Sequence, residues 1–327
     1  MTGAARLGFL PILLLAVVAA MAVIEPKFVG LNNVLNILRN TSFLSIVACG
    51  EAFVLIAGGF DLSVGSVVAL ASVLGAKVMA SCAAAYPDAP GLAIVLGVLA
   101  GLGGGLATGL FNGLCVAFLR INGFVVTLGT MSATLGVALI LTNGIPVYGM
   151  PPGFVSGFGR AQWFHLPTAI YVAALVIGLG VFVQRRTLFG RYVFAIGGNV
   201  HAATVSGIST RGYLIATYMV SGLLAAATGM LLTAQVGSGQ ASFGGDRMML
   251  QAIAAAVIGG VSLRGGIGRM EMVALGAAFL TILTNALNLL RVDSKLQLVC
   301  IGVIMVAAVA IDEWGRRGRT RLETAHA

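Results

Sequence analysis

Residues 42–80 read SFLSIVACGEAFVLIAGGFDLSVGSVVALASVLGAKVMA. Two apolar runs, 42–58 and 62–80, are parted only by Gly59, Phe60 and Asp61. Each run approaches the ~20 residues that a membrane-spanning helix needs. Neither shows the alternation of polar and apolar residues that marks a strand of a membrane β-barrel. Paired glycines and an aspartate between such runs interrupt a helix, and Asp61 or Ser63 can cap the one that follows. The stretch is therefore read either as two crossings or as one broken helix.

Working outward, comparable runs lie at 7–24, 92–118, 124–142, 167–184, 213–234, 248–260, 271–290 and 296–311, the run at 248–260 being short. The expected fold is all-α: a polytopic transmembrane helical bundle of about ten spans, with one or more broken helices. Composition agrees, since 59% of the 327 residues are hydrophobic and 9% charged, against about 25% charged in soluble domains. The first run follows Arg6 as a secretory signal would, but its 18 apolar-rich residues fit an uncleaved span better.

The net charge of +9 is read through the rule that cytoplasmic loops of membrane proteins gather Lys and Arg, rather than as a nucleic-acid surface. With the N-terminus inside, Arg185, Arg186, Arg191, Arg211, Arg264 and Arg269 fall on the cytoplasmic side, which holds twice as many basic residues as the outer side. Both termini are then cytoplasmic. One transmembrane domain covers 1–327, with a long cytoplasmic loop at 185–212, a Gly- and Pro-rich outer loop at 143–166 and a charged tail at 312–327. Glycines 101, 103, 104, 105, 109 and 113 suit a tightly packed interior helix.

Few residues could carry chemistry. Cys49, Cys82, Cys115 and Cys300 are scattered without metal-ligand spacing. No lysine follows a glycine, so the chain holds no phosphate-binding loop of the Gly-Lys-Ser/Thr kind, and coupling to ATP has to come from a partner. Glu51 lies near the middle of its run and must be neutral, paired or facing water. With Asp61 it would form the ion site of a proton- or Na⁺-driven carrier, which is the alternative reading. Glu51, Asp61, Ser63, Asn112, Thr127 and Asn285 are the candidate pathway residues; Thr130 and Thr284 are further polar groups that could bind a hydroxylated solute or join helices. An enzyme lacks a nucleophile–base pair, and a channel lacks a ring of charges.

In the long loop, Asn199 is a good N-cap, Val200 to Ser206 make two helical turns and Gly207 is a good stop. A short surface helix is predicted there, with Ala202 and Ala203 small enough to enter a groove on another protein. A second Gly-Gly at 259–260, followed by Val261, Ser262 and Leu263, echoes 58–62 and hints at an internal duplication.

The stretches 58–65, 122–129 (NGFVVTLG), 189–207 and 252–266 together resemble the ribose/xylose-type sugar ABC transporter permease family, within the branched-chain amino acid/sugar permease superfamily. The resemblance implies an importer of a monosaccharide, a pentose or similar simple sugar, working by alternating access in the bacterial inner membrane. It implies a dimer with a second permease copy or a similar permease, two ABC ATPase subunits that bind ATP and Mg, and a periplasmic or lipid-anchored sugar-binding protein. It assigns coupling to the ATPase to 198–207, namely Gly198, Asn199, Ala202, Ala203 and Gly207. The chain departs from many ribose-type members by reading Met249-Leu250-Gln251 where they carry an acidic pair, so aldopentoses, other monosaccharides and small polyols stay open.

Overall fold

The computed structural model describes residues 10–293, 295–300, 302–303 and 306–307. The expected tail at 312–327 and part of the run at 296–311 lie outside the described residues. The chain forms α1 (Leu10–Ile24), α2 (Leu31–Ile56), α3 (Val64–Ala85), α4 (Pro90–Phe118), α5 (Gly123–Thr142), α6 (Thr168–Arg186), α7 (Leu188–Gly198), α8 (Val200–Val205), α9 (Thr210–Val236), α10 (Gly245–Ile258) and α11 (Met270–Leu289). Two short antiparallel strands, Gln162–Trp163 and Leu166–Pro167, sit in the loop before α6.

Among the described residues seven helices, α2 to α6, α9 and α11, are long and apolar enough to cross a membrane. The expected first and eighth spans, α1 and α10, are helices of 15 and 14 residues. The largest error of bounds is α2, which begins at Leu31 rather than at 42. Its first turns carry Asn32, Asn33, Asn36, Arg39 and Asn40, which lower the hydropathy without breaking the helix.

The question left open at 42–80 resolves into two helices running in opposite directions. The end of α2 lies against the α7–α8 joint, where the Gly266 amide donates to the Ile56 carbonyl at 2.8 Å. The far part of α3 lies at the other end of the bundle, where Lys77 Nζ bonds the Leu141 carbonyl and Ala76 packs on Gly239.

Close packing is set by glycine at every fourth position of α4. A Cβ added at Gly105, Gly109 or Gly113 would collide with Gly222, Tyr218 and Ile215 of α9, whereas Gly103 has nothing near it. The expected glycine-rich interior helix is thus one glycine stripe, with the glycines between it pointing elsewhere.

The bundle contains an internal repeat of opposite direction. Helix α3 packs on α4 as α10 packs on α11; α9 packs on α3 and α4 as α2 packs on α10 and α11. In each unit a long helix ends in a turn, 57–63 or 237–244, from which the next helix starts. The two starts meet head to head, Gly65 against Gly244 and Gly245. The duplication hinted at by 58–62 and 259–263 therefore exists in another register, with 57–63 answering to 237–244.

Candidate functional site

Three assemblies collect the polar residues. The first is buried where the turn 57–63 meets α2, α4, α5 and α9. Ser63 N and Oγ donate to Asp61 Oδ1 at 3.0 and 2.6 Å, and Ser221 Oγ donates to Asp61 Oδ2 at 2.8 Å. The Asp61 amide reaches Glu51 Oε1 at 3.4 Å, while Glu51 Oε2 has no partner. Asn112 Nδ2 donates to Ser63 Oγ at 2.9 Å and Thr130 Oγ1 to Asn112 Oδ1 at 2.7 Å. Thr127 Oγ1 bonds the Gly123 carbonyl at 2.8 Å and, with Tyr218 OH, reaches the Phe60 carbonyl. Every side chain named here is buried. Asp61 sits at the start of α3, where the helix dipole favours negative charge. The network offers no nucleophile with a base; what it can do is fix five elements in register.

Five of the six expected pathway residues, Glu51, Asp61, Ser63, Asn112 and Thr127, thus share one enclosed network. The sixth, Asn285, does not. It lies on α11 and forms a reciprocal amide pair with Asn33 of α2: Asn33 Nδ2 donates to Asn285 Oδ1 at 3.0 Å and Asn285 Nδ2 to Asn33 Oδ1 at 2.8 Å.

That pair borders the second assembly, a cavity of about 290 Å³ among α2, α9, α10 and α11. Its polar lining includes Asn36, Asn40, Gln251, Thr284, Asn285 and Asn288, with Arg247 its one charged residue. Phe43, Leu44, Leu232 and Met248 supply the apolar part. Sequence reasoning singled out Thr284, Asn285 and Gln251 but missed the α2 asparagines. The signal was there: Asn32, Asn36 and Asn40 recur every fourth residue, on one helical face.

The third assembly is the surface helix α8. Asn199 Oδ1 accepts from the Ala202 amide at 2.9 Å, and Gly207 has φ +81°, the predicted cap and stop. One expectation is corrected: Ala203 is buried against the body of the protein, because it lies on the inner face of this six-residue helix. The exposed face carries Val200, Ala202 and Val205, the last 76% exposed. Gly198, Asn199 and Gly207 are exposed as well.

Preceding it is α7, which the sequence reading left inside the loop. Thr187 Oγ1 caps it by accepting from the Gly190 amide at 3.3 Å, and Val193 and Ile196 bury its inner face. Phe189 meets Phe53 edge-on at 5.8 Å. The α7–α8 joint is keyed into the body: Gly197 packs on the Ile56 carbonyl, and Gly265 and Gly266 pack on Gly197 and Gly198. The α7–α8 joint thus touches the end of α2, five residues beyond Glu51.

The family described as branched-chain amino acid transport system / permease component matches residues 33–309. The ribose import permease protein of Bacillus subtilis (strain 168) is 36% identical over 309 residues, 94% of this chain and 92% of its own length. The L-arabinose transport system permease protein of Escherichia coli (strain K12) is 36% identical over 92% of this chain and 88% of its own. The D-allose transport system permease protein of the same strain is 33% identical over 92% and 89%. No solved structure matches the chain significantly.

Proposed function

Because the chain belongs to the family of permease components of branched-chain amino acid transport systems, we propose that it is the membrane-spanning subunit of an ATP-driven importer of a monosaccharide. The single observation that carries this is its end-to-end likeness to permeases whose names state ribose, L-arabinose and D-allose. All three are neutral monosaccharides, so the substrate class is a simple sugar and the individual sugar is open.

In this reading the chain hydrolyses nothing itself. ATP and Mg are held by separate ABC ATPase subunits, which dock on the exposed face of α8 at the cytoplasmic end. A sugar-binding protein delivers substrate to the opposite end, and a second permease copy or a similar permease completes the membrane unit of the inner membrane. Motion of α8 passes through Gly197 and Gly266 to the end of α2 and into the turn that carries Asp61. Glu51, Asp61, Ser63, Asn112 and Thr127 then act as the joint about which the bundle opens to one side and to the other.

The test is uptake of radiolabelled ribose, arabinose and allose into proteoliposomes holding this chain, its co-purifying ATPase and its binding protein. Uptake that needs ATP on the ATPase side is expected. Uptake that proceeds without ATP and collapses with the proton gradient would replace this reading by an ion-coupled carrier using Glu51 and Asp61.

A further inference from the structure

We propose that the cavity among α2, α9, α10 and α11 is a water-filled station that binds one uncharged polyhydroxylated molecule during passage; the inference rests on the importer reading above. Its first support is the polar stripe on α2. Asn32, Asn36 and Asn40 are all exposed on one face of a helix that is otherwise built to cross a membrane. Amides in hydrocarbon go unsatisfied, so such a face has to meet water or polar groups rather than lipid. The facing side of α11 repeats the pattern with Thr281, Thr284, Asn285 and Asn288.

Next come the free bonding groups. The carboxamide of Gln251 makes no hydrogen bond within the described chain, though it is half-buried. Thr284 Oγ1 gives its hydrogen to the Leu280 carbonyl at 2.8 Å, which leaves its lone pairs facing the cavity. Asn36 Oδ1 accepts from Asn40 Nδ2 at 3.2 Å, which leaves the Asn36 amide hydrogens available. Amides and hydroxyls both donate and accept, and so does every sugar hydroxyl. A cation would find no carboxylate in this lining, and an anion would find the one guanidinium of Arg247, which touches Gln297 Oε1 at 3.4 Å. The volume of about 290 Å³ lies at the low end of the roughly 300–1,000 Å³ usual for ligand cavities. It suits a monosaccharide rather than an oligosaccharide.

The experiment uses the reconstituted complex and whichever of ribose, arabinose or allose the wild type takes up. Q251L is expected to lower uptake at limiting sugar about tenfold while ATPase stimulation by the binding protein persists. In a background with Cys49, Cys82, Cys115 and Cys300 replaced by alanine, T284C should react with a membrane-impermeant thiol reagent, and transported sugar should slow that reaction at least threefold. The same sugar should leave I145C, on the outer loop, unaffected. Q251L uptake within twofold of wild type overturns the assignment, as does T284C labelling indifferent to sugar. Protection by gluconate but not by neutral sugar overturns the uncharged class. An unreactive T284C together with cross-linking of N36C between copies makes the cavity a permease–permease seam instead. Absence of ATP-dependent uptake by the wild-type complex overturns the importer reading, and this inference falls with it.

Discussion

Glu51 and Asp61 sit together yet are bonded very differently. Both oxygens of Asp61 take hydroxyl or amide donors, whereas one oxygen of Glu51 takes none. A buried charge without partners costs several kcal/mol, so nothing in the geometry calls for a charge on Glu51. E51Q keeps the acceptor for the Asp61 amide, and it should change stability by less than about 1 kcal/mol and leave ATP-dependent uptake intact. D61N turns one saturated acceptor into a donor at the turn that leads into α3. It should cost about 1–3 kcal/mol, seen as a lower melting temperature in detergent. Equal losses in both variants would contradict this division. The sequence exposed both carboxylates but not Ser221, the α9 partner of Asp61, because a serine 160 residues away carries no local mark. Asn285 was legible as polar and misleading as to company, since its partner Asn33 is 252 residues distant.

On the scale of a helix, what could be read depended on whether local chemistry or tertiary packing makes the element. The cap of α8 is local, and Asn199 and Gly207 announced it. Helix α7 is built from a segment holding Gly190, Gly197 and Gly198; glycine costs about 1 kcal/mol per helical position, so the segment reads as loop until Val193 and Ile196 are buried. N199A should remove the α8 cap at a cost of about 1 kcal/mol and uncouple ATP hydrolysis from uptake while the bundle stays folded. A measured ratio of sugar moved to ATP consumed equal to wild type would argue against α8 as the coupling element. G109L places a side chain against the backbone of α9; overpacking of this kind costs upward of about 1–3 kcal/mol. It should abolish monodisperse protein in size-exclusion chromatography, whereas G103L, on an open face, should not.

For the molecule as a whole, the two inverted units are interleaved rather than side by side. The first unit's α3 and α4 are packed by the second unit's α9, and α10 and α11 by the first unit's α2. The main hydrophobic core draws residues from both units, so thermal unfolding should be a single cooperative step. Residues 1–149 and 150–327 expressed as separate chains should co-purify, because the break falls in a surface loop while the α4–α9 contact is kept. Recovery of either piece alone as a folded species would count against interleaving. From the sequence the class of fold and most spans were plain, because apolar length is a strong signal. The inverted repeat was not, since its units share contacts and direction more than residues.

The asparagine stripe on α2 also bears on how the protein is made. As this helix leaves the ribosome, its first half carries Asn32, Asn33, Asn36, Arg39 and Asn40, and an arginine in a span opposes insertion, by about 2.5–3.5 kcal/mol at a helix centre and by less toward the ends. The amide that answers Asn33 is synthesised 252 residues later. Until α11 emerges, α2 is a poor guest in lipid, so the translocon or an insertase has to shelter it, and assembly of this helix is a late event although its residues are among the first to be translated.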